Sequence, residues 1–206
     1  MNRLYAILTS AAVLSGLVGL FAYVQIYRSD DPLAQCRQGQ IAGGNIGGPF
    51  TLVNPAGKTV TEAEVLQKPS LVYFGYTFCP DVCPFDVARN AEAVDILEAS
   101  GFDVTPVFIS IDPERDTPEA LGDYAANMHP KLIALTGTPE QVQAASLAYK
   151  TFYNRQPSED EFYLVDHSTF TYLMLPGIGF VDFFRRDITS GQLAENVACF
   201  LQAAKP

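Results

Sequence analysis

Residues 70–84 read SLVYFGYTFCPDVCP, and the reading of this stretch decides the fold. Ser70 to Tyr76 is a short apolar run rich in aromatic residues, the pattern of a strand buried on both faces. It leads into two cysteines, Cys79 and Cys83, each followed by a proline. Pro84 suits the first position of a helix, and Val87, Ala91, Val94 and Leu97 follow at helical spacing. The spacing predicts a helix over 84–99 with Cys83 as its cap. Working outward, Val104 to Ile111 is a second buried strand, ended by Asp112-Pro113. Thr117-Pro118 and Thr138-Pro139 each pair a capping threonine with a proline at the first helical position, on either side of a short strand at 132–135. Residues 170–175 and 179–184 form a hairpin through Pro176-Gly177, and 189–203 closes the chain as a helix. Upstream, Phe50 to Val53 and Lys58 to Thr61 flank a turn at Asn54–Gly57 as an N-terminal β-hairpin. Strand–helix–strand followed by a terminal hairpin and helix is an α/β layer order, with the strands at 70–76 and 104–111 expected as parallel neighbours. The thioredoxin-like fold has this order. A flavodoxin-like sheet ranks lower, because a tight turn joins the last two strands.

The N-terminus adds a second organisation. Leu4 to Tyr27 carries no charge, and about 20 such residues suffice to cross a bilayer. The run is too long for a signal-peptide core, and no small-x-small cleavage site follows it. Cys36 lies too far past the run, behind a bulky Gln35, for a lipoprotein site. The reading is a single uncleaved transmembrane helix in residues 1–28, a tether over 29–45 and a folded domain over 46–206. The short N-terminal tail with Arg3 favours an inside N-terminus, which places the domain in the periplasm of a bacterial inner membrane. The 13 basic and 23 acidic residues give a net charge of −10, which argues against a nucleic-acid partner. The chain is 48% hydrophobic, enough for its domain to build a full core without disulfide staples.

The chemistry gathers at Cys79 and Cys83. A helix N-terminus favours thiolate over thiol, and thiolates serve both metal binding and disulfide exchange. His167, in Leu164-Val165-Asp166-His167-Ser168, precedes the strand near 170. In a thioredoxin-like sheet, the loop entering that strand lies beside the cysteine corner. Two sulfurs and one imidazole make a soft, low-coordination set suited to copper in either oxidation state, whereas structural zinc takes four ligands. Three functions stay open at this point: copper delivery, thiol–disulfide exchange and copper or redox sensing. Tyr73, Phe74, Tyr76 and Phe78 are candidates for an apolar shell around the site, with Tyr73 and Phe74 read as core. Asp81 between the cysteines is either a steering charge or a turn acid. His129 reads as a surface residue at a helix end.

The runs FGYTFCPDVCP, FISIDPERDTP and VDHSTFTYLM, with IGGPFTLVN, resemble the Sco/SenC family of copper proteins over residues 46 to about 203. The resemblance implies a thioredoxin-like domain that binds one copper through Cys79, Cys83 and His167. It also implies delivery of that copper to the dinuclear centre in subunit II of cytochrome c oxidase, or to another acceptor protein. Where the family usually has Asp-Pro after the YLM run, this chain has Leu175-Pro176. Cys36 and Cys199 fall outside the ligand pair. Their even number in a periplasmic chain points to a structural disulfide, with a free Cys36 and a packed Cys199 as the alternative.

Overall fold

The computed structural model describes residues 2–26, 31–37, 45–158 and 162–204. It divides into two compact units, Met1–Ala34 and Gln35–Pro206. The first holds α1 (Asn2–Ile26). Among the described residues no helix is long and apolar enough to cross a membrane. The transmembrane reading of Leu4–Tyr27 therefore gains no support from the structure and stands on sequence alone. Tyr27, Arg28 and tether residues 29–30 and 38–44 lie outside the described residues.

The second unit runs β1 (Thr51–Val53), β2 (Thr59–Thr61), α2 (Glu62–Val65), β3 (Ser70–Gly75), α3 (Val82–Ala99), β4 (Thr105–Ser110) and α4 (Pro118–Met128). It continues with β5 (Ile133–Leu135), α5 (Pro139–Ala148), β6 (Tyr153–Arg155), β7 (Val165–His167), β8 (Thr171–Leu175), β9 (Gly179–Phe184) and α6 (Ser190–Ala203). The main sheet has five strands in the order β5-β4-β3-β8-β9. β3, β4 and β5 are parallel; β8 and β9 are antiparallel to their neighbours. This is the thioredoxin-like α/β arrangement. β1 pairs antiparallel with β2, and Val53 bridges to Thr136 just past β5.

Every residue of β3 is buried, because side chains alternate between two covered faces. Phe74 points one way, with ring centroids 5.2 Å from Tyr149 and 6.1 Å from Tyr172. Tyr73 points the other, 6.4 Å from Phe108, and its hydroxyl donates to Asp86 on α3. Gly75 shares that second face, where α3 comes closest.

The threonine caps form as their sequence predicts. Thr117, Thr138 and Thr189 accept from the backbone N–H of Ala120, Gln141 and Gln192. Three local expectations need correction. α3 starts at Val82 with Asp81 as its cap, so Cys83 is its second residue and Pro84 its third. Any position in the first turn leaves its N–H without a helical partner, so proline fits at the third as well as the first. His129 is buried at 8% exposure, caps the C-terminus of α4, and faces Asp95 through Nε2 at 3.1 Å. The β6–β7 ladder was not expected at all; it pairs Tyr153 with His167. Cys36 and Cys199 form a disulfide with Cα atoms 5.7 Å apart, joining a 3₁₀ turn (Ala34–Cys36) to α6.

Candidate metal centre

β3 ends at Gly75, and the chain turns through 76–81 into α3. Two bonds fix that turn: Cys79 N–H donates to Tyr76 O at 3.3 Å, and Ile111 N–H to Gly75 O at 2.9 Å. The fully buried Asp116 carboxylate adds three more. It accepts the Thr77 N–H at 3.1 Å and the hydroxyls of Thr77 and Ser110 at 2.5 Å each. A buried carboxylate needs such donors to offset lost hydration, and here they tie the start of the cysteine loop to the end of β4. The second aspartate of FISIDPERDTP, Asp116, is thus a structural bolt, a role its sequence context did not disclose.

Cys79 and Cys83 are both buried and unbonded to each other. His167, the last residue of β7, completes the group. The two sulfurs and one ring nitrogen lie within 4.8 Å of one another, the one cluster of three or more metal-ligand side chains among the described residues. The Cys83 N–H, at the start of α3, donates to Cys79 Sγ at 3.3 Å. Helix-terminal amides of this kind stabilise sulfur that carries negative charge. Cys83 Sγ in turn lies 3.3 Å from His167 Nε2.

The histidine tautomer follows from its partners. Nδ1 lies 2.8 Å from the Ser168 carbonyl oxygen, which can only accept, so Nδ1 carries the proton. Nε2 then presents a lone pair to Cys83. Burial holds the His167 pKa below its usual value, keeping the ring neutral. Burial also pushes the Cys83 thiol well up. The metal-free site is thus a neutral S–H donating to a neutral imidazole, and a metal ion entering it displaces that proton.

Tyr73 and Tyr76 stand edge-on to the imidazole, at centroid distances of 6.3 and 5.8 Å. Tyr76 also accepts the Val165 N–H through its hydroxyl. Tyr73 is buried as expected, but it borders the site rather than serving the core alone. Phe78 is half exposed, and Asp81 is exposed with no side-chain cap bond. The cluster opens onto a pocket of 260 Å³ lined by Tyr76, Cys79, Pro80, Asp81, Leu164 and His167, among others. Two sulfurs and one nitrogen fit copper, which accepts soft ligands at low coordination number. Among the described residues no fourth histidine, cysteine, aspartate or glutamate joins them, as a closed zinc site would need.

Known proteins resemble this chain over most of its length. Protein SenC of Rhodobacter capsulatus is 52% identical over 200 residues, covering 96% of this chain and 90% of its own. The human mitochondrial SCO1 homolog is 40% identical over 175 residues, 84% of this chain and 58% of the relative. Among solved structures, Arabidopsis thaliana ScoI with copper bound has a TM-score of 0.72 at 45% identity, covering 76% of this chain and 99% of that one. Yeast Sco1 with copper bound has a TM-score of 0.74 at 34% identity, covering 79% and 92%. The SCO1/SenC family pattern itself matches residues 38–202. A thioredoxin-like domain whose cysteine corner meets a histidine, matched over nearly all of its length, belongs to the SCO1/SenC family.

Proposed function

We propose that this protein is a copper chaperone for cytochrome c oxidase assembly, holding one copper ion through Cys79, Cys83 and His167. Its acceptor is the dinuclear copper centre of subunit II. The carrying observation is the grouping of two thiol sulfurs and a lone-pair imidazole nitrogen within 4.8 Å. Three ligands leave copper an open coordination position, and the adjoining pocket gives an acceptor's thiolate or imidazole a way in. Transfer then proceeds by ligand exchange, with a proton returning to Cys83 as the metal leaves for the acceptor's ligand.

The histidine separates this reading from a thiol–disulfide reductase, which needs the two sulfurs alone. In the full-length chain, His167→Ala removes the sulfur-to-copper(II) absorption and leaves the far-ultraviolet circular dichroism unchanged. In cells it impairs oxidase assembly nearly as severely as Cys79→Ser. Full copper(II) binding by the variant overturns the ligand assignment. Normal assembly with lost copper binding favours the reductase.

Leu4–Tyr27 anchors the protein once in the inner membrane, with the copper domain in the periplasm. The uncharged run supports this reading, as does the Cys36–Cys199 disulfide, since such bonds persist in oxidising compartments. Alkaline phosphatase fused after Arg37 is active in that topology. An abundant but inactive fusion reverses it.

A further inference from the structure

Tyr163 is buried, at 5% exposure, four residues before the histidine ligand. Its ring lies between two guanidinium groups, 3.5 Å from that of Arg115 and 3.6 Å from that of Arg155. Its hydroxyl donates to Asp112 at 2.6 Å. Burial, followed by the Asp112 carboxylate, pushes this phenol up to about 12, so it keeps its proton and remains a donor. Arg155 reaches out to the exposed Glu114. Arg115 reaches inward: its Nε meets Asp112 at 2.5 Å, and its guanidinium lies 4.8 Å from the Phe78 ring and 5.7 Å from the Tyr76 ring.

Those contacts join two segments far apart in sequence. Phe78 immediately precedes Cys79. Tyr76 stands edge-on to His167 and accepts the Val165 N–H. Tyr163 leads into β7, which ends at His167. The turn carrying Arg115 is itself held by Asp112 O, which accepts from the N–H of Arg115 and Asp116, and by the bonds from Asp116 to Thr77. Among the described residues, Arg115 is thus the one cation over the rings of Tyr76, Phe78 and Tyr163 alike. A planar guanidinium can stack on a ring and hydrogen-bond a carboxylate at its edge at the same time; a lysine ammonium cannot.

We infer that Arg115, with Tyr163 and Asp112, is a positioning residue that keeps the histidine arm closed against the cysteine loop and so sets how long copper stays. This rests on the copper-site reading above, and the test keeps the two separable. The full-length protein is purified in detergent as wild type, Arg115→Ala, Arg115→Lys and Tyr163→Phe. Copper(II) transfer to excess chelator is followed through the sulfur-to-copper(II) absorption, and Cys79 alkylation is timed in the copper-free chain. Residues that orient metal ligands are worth about 10- to 100-fold in metal affinity. Arg115→Ala is therefore expected to release copper at least about tenfold faster, with a shifted absorption band and faster Cys79 alkylation. Arg115→Lys keeps the charge and loses the planar face, so it falls on the side of alanine; Tyr163→Phe lies between it and wild type. If Arg115→Ala does not fold, the lysine and phenylalanine variants carry the same comparison. Folded variants with wild-type release, spectrum and alkylation overturn the inference. If the wild type takes up no copper, the copper reading fails, and alkylation alone decides the clamp: faster supports it, unchanged refutes it.

Discussion

Gly75→Ala tests whether the glycine at the end of β3 exists to make room for a copper ligand. An alanine Cβ at this position would lie 2.9 Å from Tyr73 Cε1, 3.0 Å from Cys83 Sγ and 3.0 Å from Phe108 Cε2. Unstrained contacts of this kind sit near 3.5–4.0 Å, so something must move by roughly 0.5–1 Å. Tyr73, Cys83 and Phe108 are all at most 1% exposed, so none can yield into solvent. Forcing extra carbon into a filled core costs about 1–3 kcal/mol. Removing a glycine from a strand returns about 0.5–1 kcal/mol. The net change runs from about zero to a loss of about 2.5 kcal/mol, or a fall in Tm of up to about 10 °C for a chain of this size. The functional effect is larger than the stability effect. Cys83 Sγ faces His167 Nε2 at 3.3 Å, and displacing it spoils the geometry of two ligands together. Thermal unfolding followed by circular dichroism, with a copper(II) titration of the same full-length variant, reads both quantities. A Tm at or above wild type with an unaltered copper(II) spectrum would refute the reasoning, because the sulfur would then have room that the packing denies it.

Two further perturbations probe the scaffold. Replacing Cys36 and Cys199 by serine releases a cross-link between residues 163 apart, which is expected to cost about 2–5 kcal/mol and lower Tm by about 4–20 °C. The copper(II) spectrum should not change, since neither residue belongs to the ligand cluster, and a Tm within about 2 °C of wild type contradicts the cross-link account. Acid behaviour follows from the buried groups. Burial raises the carboxyls of Asp86, Asp116 and Asp182 above the usual 3.8, so the native state binds protons first. Their contribution is full below that value and is lost as pH rises through each folded pKa. His167 acts oppositely: its lowered pKa gives stability that is present above 6.5 and lost as pH falls through the folded value. The copper-free His167→Ala chain is therefore expected to gain urea resistance as pH falls from 7 through the folded pKa values of these carboxyls, with a smaller gain in wild type. A falling urea midpoint in the variant over that range refutes the assignment.

What the sequence discloses depends on how far each structural cause reaches. β3, β4, the proline-primed helices and the cysteine corner are legible because the apolar runs and caps that form them are local. β6 and β7 are three residues each, reading YNR and VDH, and such short polar segments show no period. They become strands by pairing with each other across the intervening chain. The start of α3 was misplaced because proline marks the first turn without marking a position within it. His129 looked exposed because its partner, Asp95, lies 34 residues away on another helix. The parity of the cysteines pointed to the Cys36–Cys199 pairing, but a Cα separation of 5.7 Å is a tertiary fact. The roles of Arg115, Tyr163 and Asp116 had no sequence signal beyond the motif that carries two of them, since stacking and burial are set by which segments meet.

The same division of causes bears on how such a site gives up its metal. Both sulfurs belong to the buried corner between β3 and α3, where Gly75, Tyr73 and Phe108 leave Cys83 no room. Moving Cys83 means disturbing fully buried core residues. The imidazole instead sits at the end of a two-stranded ladder of three residue pairs, outside the main sheet. Each bond of such a ladder contributes about 0.5–1.5 kcal/mol net, which is small beside the cost of opening a close-packed core. A ligand set built this way has two fixed members and one on a separable arm. For a copper carrier of the kind proposed, holding the metal requires the arm to be latched, and releasing it requires that the latch be weaker than the core. The stacked Arg115–Tyr163 pair, tied to Asp112 and facing Phe78, touches both parts, beside the Tyr76 hydroxyl that accepts the Val165 N–H.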